Sequence, residues 1–346
     1  VLSTPYSFGG DANIEYAFSY LVTSKGIWNP SAIANNNNAM LSLNILVPSF
    51  CQLCNMNVIQ VFKIIFPIIL SLVPPGLYSI LRKQIKPEFA FFSSYFYLSI
   101  RPFYNWISEF IKQGIAMFFL MLVILVITTH NEERKISRNV LLIMFLFSLI
   151  TSHYGTSYIF LLSLVVGYIF LLWKDKKLAV NLTNTLALYV VLLLSWYMYL
   201  CQGSALEAGI KFGENVWLSI QDFFVPKEGL SVLTFVPPCL SYTIYKTLHL
   251  ITNLFIVFGF LNIVYSKLKS KKGDINELFF SFSISSLALL LATIVIPFAS
   301  MGLERIYIIT LFFLAPFCII GVIRFMRGIE KAFSTHLGKL DLRFLA

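Results

Sequence analysis

Asp11 and Glu15 stand four residues apart, so a helix through them projects both carboxylates from one face. Such a pair can serve as a general base, hold a divalent cation (Mg²⁺ or Mn²⁺) through its oxygens, or do both. The competing reading is an acidic first turn that complements the helix dipole, with Asp11 near the cap, and spacing alone favours it. A second ionisable set, Arg101, Glu109, Lys112, His153, Glu304 and Arg305, stands at the ends of long apolar stretches. Charges so close to hydrocarbon are costly and tend to line a pocket or pair with one another. Cations there suit an anionic group such as a lipid phosphate. The alternative is that each snorkels to lipid head groups with no pocket at all. His153 is a residue type that can donate to a phosphate or exchange a proton near neutral pH, although a lone His at a helix end is more often a structural hydrogen bonder. Cys51 and Cys54 have a two-Cys spacing with no second pair and no βαβ pattern around it, and read as small apolar residues.

The elements that must position these residues are read from the apolar pattern. The 346 residues are 58% hydrophobic and 12% charged, with 34 Phe. Soluble domains carry about 25% charged residues. Stretches such as Ile115–Thr128, Tyr158–Trp173, Val180–Leu200, Leu250–Tyr265, Leu278–Phe298 and Ile306–Ile323 are apolar on every helical face. Since roughly 20 apolar residues cross a bilayer, the chain reads as an all-α, polytopic integral membrane bundle. Adding Val58–Leu81 and the short stretches Phe89–Ile100 and Val140–Ser152 makes about nine crossings, the first kinked at Pro74-Pro75.

Basic residues fall at alternate gaps between these stretches. Eighteen of the 26 belong to one set of loops and the tail, and eight to the other, while the 16 acidic residues divide evenly. The whole formal charge of +10 therefore sits on one face, which the positive-inside rule makes cytoplasmic. This is loop bias with no continuous basic stripe, which argues against nucleic acid as a partner and for membrane lipids. The alternation also requires residues 39–55 to stay on the outer face as a short juxtamembrane or re-entrant helix. Residues 1–57 then form an outer loop with juxtamembrane helices, in which Ile14, Phe18, Leu21 and Val22 make one apolar face on the membrane surface. Residues 58–326 form the bundle, interrupted by an outer loop at 202–246 with an amphipathic stretch over Ala205–Phe224. Residues 327–346 are a cytoplasmic tail or the start of a further region. With no Met at position 1 and no basic leader, residues 1–38 lie outside only if something upstream carried them there. The expectation is a piece of a longer protein; removal of a leader would give the same pattern.

Gly10-Asp11-Ala12-Asn13-Ile14-Glu15-Tyr16, Met40-Leu41-Ser42 and Phe62-Lys63-Ile64-Ile65-Phe66-Pro67 are followed in order by further short pieces. These are Lys112-Gln113-Gly114-Ile115-Ala116-Met117-Phe118, Ser152-His153-Tyr154, Arg305-Ile306-Tyr307 and Leu314-Ala315-Pro316-Phe317. The succession resembles an archaeal family of predicted multi-spanning membrane proteins of uncharacterised function. That family has an Arg before the Gln and an acidic residue soon after it, and Lys112 and Gly114 depart from this. The family in turn resembles glycosyltransferases of the GT-C fold, which use polyprenyl-phosphate-linked sugars; the likeness is one of architecture. The resemblance implies a plasma-membrane enzyme moving a sugar from a polyprenyl-phosphate donor to an outer acceptor. It implies Asp11, then Glu15, as catalytic residues, and Arg101, Lys112, His153 and Arg305 as holders of the donor phosphate. A base and an anion holder on opposite sides of the reacting carbon would leave roughly 6–12 Å between Asp11 and the cations. The alternatives are a transporter or flippase for a lipid-linked or anionic substrate, and a non-catalytic membrane subunit.

Cysteines introduced at Asn36 and Lys271 should label from opposite sides of the membrane. Labelling from one side would overturn the orientation drawn from the basic loops.

Overall fold

The computed structural model describes residues 10–33, 35–104, 111–129, 135–200, 207, 210–211, 213–214, 239–269, 275–295 and 303–334. Among these there are helices and turns but no strand. The helices are α1 Gly10–Lys25, α2 Ser42–Cys54, α3 Val58–Leu81, α4 Pro87–Ser99, α5 Ile111–Thr128 and α6 Lys135–Ser152. They continue as α7 Tyr154–Lys174, α8 Lys176–Tyr199, α9 Leu240–Lys269, α10 Glu277–Val295 and α11 Leu303–Ser334. Six of them, α3, α5, α7, α8, α9 and α11, are long and apolar enough to cross a membrane. The other three expected crossings fall on α4, α6 and α10, whose apolar stretches are shorter (Ile136–Ser152 in α6, Glu277–Thr293 in α10); 13 residues of α4 extend only about 20 Å.

Composition accounts for these helices directly. In hydrocarbon every backbone N–H and C=O must be satisfied within the segment, which a helix does. Buried hydroxyls are satisfied in the same way: Ser94 donates to Ala90 O (3.0 Å), Ser163 to Ile159 O (3.0 Å) and Ser283 to Phe279 O (2.9 Å). In α3 the α-helical pattern is interrupted at Leu72 and resumes at Val73, with Pro74 in the first turn of the new segment. The interruption lies where the Pro pair was expected to kink the span, because neither proline has an N–H to continue the ladder.

Helix α11 is the hub, its run from Ile306 to Cys318 almost wholly buried among α4, α9 and α10. Helix α10 then meets α7, which meets α8, while α4 leads through α3 and α5 to α6. Helices α9 and α11 cross at backbone contact through Gly259 and Gly321. A Cβ on Gly259 would lie 1.9 Å from Phe317 O, and one on Gly321 2.1 Å from Phe255 O. Small residues allow this approach where no hydrophobic force separates helix from lipid.

Helix ends gather in two sets. At one, Lys83 just past α3 meets Thr129 at the end of α5 (3.2 Å), and Gln84 meets Asn276 before α10 (3.2 Å). At the other, the starts of α5 and α11 meet the surface helix α1, and α2 meets the end of α6, where Ser42 donates to Ser152 O (3.1 Å). The 13 residues of α2 also reach only about 20 Å, short of a hydrocarbon core of about 30 Å. Asn55 turns the chain in the left-handed region (φ 53°), and Asn57 with Gln60 caps α3.

The side of α1 that packs on the bundle is made by Ala12, Glu15, Phe18, Ser19 and Val22, while Ile14 is 48% exposed. Glu15 and Ser19 find partners there: Lys112 and Leu43 O (3.0 Å). The stretch Ala205–Phe224 and the tail past Ser334 fall largely or wholly outside the described residues.

Gly321→Ala should cost about 1–3 kcal/mol through overpacking, read as a lower unfolding midpoint in detergent. Gly328, with open space around its Cβ position, should tolerate Ala unchanged. Equal midpoints for the two variants would exclude the close crossing.

Candidate functional site

Five of the six expected site residues gather at one end of the bundle. Asp11 and Glu15, one turn apart on α1, each face a cation from a different spanning helix. Asp11 Oδ2 accepts from the Arg305 guanidinium at the start of α11. Glu15 Oε1 lies 3.4 Å from Lys112 Nζ, an ion-pair contact without hydrogen-bond geometry. Its Oε2 accepts from the Lys112 backbone N–H at 3.3 Å, one of the donors that the first turn of α5 leaves unused. Lys112 Nζ also donates to Asn37 Oδ1. The pairs differ in exposure: Glu15 and Lys112 are 1% and 7% exposed at the side chain, Asp11 and Arg305 36% and 24%.

This closes the separation expected between Asp11 and the outer cations. Asp11 is in direct contact with Arg305, because two opposite charges near hydrocarbon lower their cost by pairing. In this arrangement each of the two carboxylates pairs with its own cation. Among the described residues no group of three His, Cys, Asp or Glu side chains could hold a metal.

Glu15 is held up at a pKa of about 7. Burial is the main cause, Lys112 opposes it, and Asp11 adds a small upward push. Its carboxyl can therefore gain or lose a proton near neutral pH, as a general base must. His153 occupies the turn between α6 and α7, where its Nδ1 accepts from Thr156 N–H (3.0 Å) and lies 2.9 Å from Thr156 Oγ1. With Nδ1 as acceptor, the neutral ring carries its proton on Nε2. Burial, then the charges of Lys112 and Arg305, hold this imidazole well below its usual range. It is a neutral donor beside two cations, and it also caps α7. The ring lies over Gly155, whose added Cβ would come 3.0 Å from His153 Cε1.

Arg101 has a different neighbour: it is exposed, with its guanidinium 5.5 Å from the Tyr245 ring centre. Tyr245 stacks on His249, which leans on Tyr307. Glu109 lies outside the described residues.

Sequence reasoning missed the frame that holds Lys112. The Asn35–Asn38 run is a built element. Buried Asn38 donates through Nδ2 to Asn29 O, Pro30 O and Ile33 O, and buried Asn44 to Asn37 O, Asn38 O and Met40 O. Trp196 of α8 reaches in to Ala39 O (3.2 Å). A signal was present, since an Asn run beside an apolar helix offers side-chain amides that compete for backbone groups.

Residues 138–343, more than half of the chain, match the family described as predicted membrane protein, DUF2206. The chain belongs to that family. The match takes in His153 and Arg305 with α7 to α11, and begins after Asp11, Glu15, Arg101 and Lys112. No curated protein matches the chain. In this DUF2206 protein the site therefore joins the matched bundle to the helix and turns that precede it.

A carboxyl whose folded pKa is raised favours folding while it is protonated. That contribution is whole below about pH 4.5 and is lost as pH rises through about 7. Between those values the unfolding midpoint should fall with rising pH, and Glu15→Gln should flatten the fall. An unchanged slope in the variant would place the titration elsewhere.

Proposed function

We propose that this membrane protein is an inverting glycosyltransferase that moves a sugar from a polyprenyl-phosphate donor to an acceptor on the outer face of the plasma membrane. The observation that carries the reading is the meeting of Glu15, which titrates near neutrality, with Lys112, His153 and Arg305 at one end of an apolar bundle. The reaction needs a base beside the acceptor hydroxyl and positive charge on the departing phosphate. Glu15 takes the acceptor proton as the acceptor oxygen bonds to the anomeric carbon. The bond from that carbon to the phosphate oxygen breaks on the opposite side, and its electron pair leaves with the polyprenyl phosphate. Arg305 and the Nε2–H of His153 receive that charge. Glu15 replaces Asp11 as the first candidate base because Asp11 is partly exposed and held by a guanidinium. The described ion pairs stand at helix ends and not at mid-span, which supports an enzyme over a transporter. In the orientation that goes with this reading, α1 and α2 lie outside, the basic ends inside, and α4, α6 and α10 complete nine crossings.

Purified protein in liposomes, given radiolabelled polyprenyl-phosphate sugars and a lipid extract as acceptor, should release polyprenyl phosphate and label the acceptor. Glu15→Gln should lower turnover by roughly 10²–10⁴-fold while the protein stays folded. Full activity in Glu15→Gln and Asp11→Asn alike would remove the outer-helix base. A protein that transfers no sugar from any such donor would remove the reading.

A further inference from the structure

The two ion pairs that tie α1 to the bundle are chemically alike but differently placed. Glu15 and Lys112 are almost sealed, and Lys112 is further engaged by Asn37. Asp11 and Arg305 are a third and a quarter exposed, and Asp11 is the second residue of α1. Exchanging partners at the first pair would strand a charge away from water, which costs several kcal/mol. At the second pair both groups are partly exposed, so a further anion has access to the guanidinium and can replace the carboxylate. His153, buried between α6 and α7, stands close enough to feel the charges of Arg305 and Lys112. Its Nδ1 is fixed by Thr156, so its Nε2–H is its hydrogen-bonding group toward a ligand. A guanidinium fork matches a phosphate as well as it matches a carboxylate.

We propose that Asp11 is a built-in competitor for an anion seat at Arg305: its carboxylate occupies the place that a phosphate monoester takes, and gives it up when that ligand arrives. The proposal rests on the glycosyltransferase reading for the lipid-linked form of the ligand, but the seat itself requires no sugar. Glu15–Lys112 stays closed while the anion exchanges and keeps α1 docked, so that exchange moves one side chain and not the helix. Asp11 then has a gating role, which its contact with Arg305 and its exposure both fit better than that of a resident base.

The test uses the full chain in nanodiscs of uncharged lipid, with inorganic phosphate and a short-chain prenyl monophosphate as separate probes. Binding is followed by calorimetry and by the unfolding midpoint. Asp11→Asn keeps the shape and removes the competing charge, so it should tighten phosphate binding by about threefold to tenfold, the scale of an exposed ion pair. Arg305→Gln should abolish binding, and Arg305→Lys, the variant to use if Gln prevents folding, should weaken it. A prenyl monophosphate that binds more tightly than inorganic phosphate, with the same response to Asp11→Asn, identifies a lipid head group as the ligand. Equal binding of the two identifies free phosphate. Unchanged affinity in Asp11→Asn overturns the competitor role, and so does a protein that binds neither probe. Sugar transfer accompanied by unchanged phosphate affinity in Asp11→Asn would sink this inference alone. Phosphate binding without any sugar transfer would sink only the glycosyltransferase reading.

Discussion

Taking a carboxylate and an ammonium out of water costs several kcal/mol for each, and the cost is offset only when they meet with their remaining hydrogen-bonding groups supplied. Glu15 and Lys112 are under that constraint, and much of this end of the bundle follows from it. Lys112 stands in the first turn of an apolar spanning helix, where a lone cation has no good solution. Glu15 reaches it only if α1 lies across the end of the bundle with its Glu15–Ser19 side inward. The Asn37 amide completes the shell of Lys112 only if the preceding turn is held in shape, which Asn38 and Asn44 achieve through six donations to backbone carbonyls. Asp11 falls into place one turn earlier and meets Arg305.

The bundle beneath depends on a different physical term. Among helices surrounded by lipid, close packing and satisfied polar groups take the place of hydrophobic burial. The Gly259–Gly321 crossing supplies the first, bringing two backbones together and setting α11 against α9. Hydroxyls with partners supply the second: in α10 buried Ser281 and Ser283 donate to Leu278 O and Phe279 O of their own helix, and buried Ser285 donates to Ser163 of α7. A rigid central α11 gives Arg305, at its start, a fixed position against which α1 can dock.

These two layers suggest how chemistry at a membrane rim can be arranged. The spanning helices offer cations and a neutral imidazole at their ends, and a surface helix brings the acids. Neither part holds a complete set, so the site exists only where they meet. Burial does the tuning: it raises Glu15 toward neutrality and leaves His153 uncharged, while Asp11, less enclosed, remains tied to its guanidinium.

By itself the sequence determined that this is a helical membrane protein, where its long apolar helices run, and that residues 39–55 form a short helix. Each of these follows from local composition, because apolar length decides what can cross. It also marked Asp11, Glu15, Lys112, His153 and Arg305, because ionisable groups at the ends of apolar segments are conspicuous. The partners of those groups were decided only in three dimensions. On α1 only the structure shows that Phe18 and Val22 are buried beside Glu15 and Ser19, through an ion pair and a hydroxyl contact formed across 97 and 24 residues. The contact of Asp11 with Arg305, the grouping of His153 with Lys112 and Arg305, and the place of Arg101 against Tyr245 were likewise tertiary. Charge pairing depends on distance in space, and a sequence records only distance along the chain.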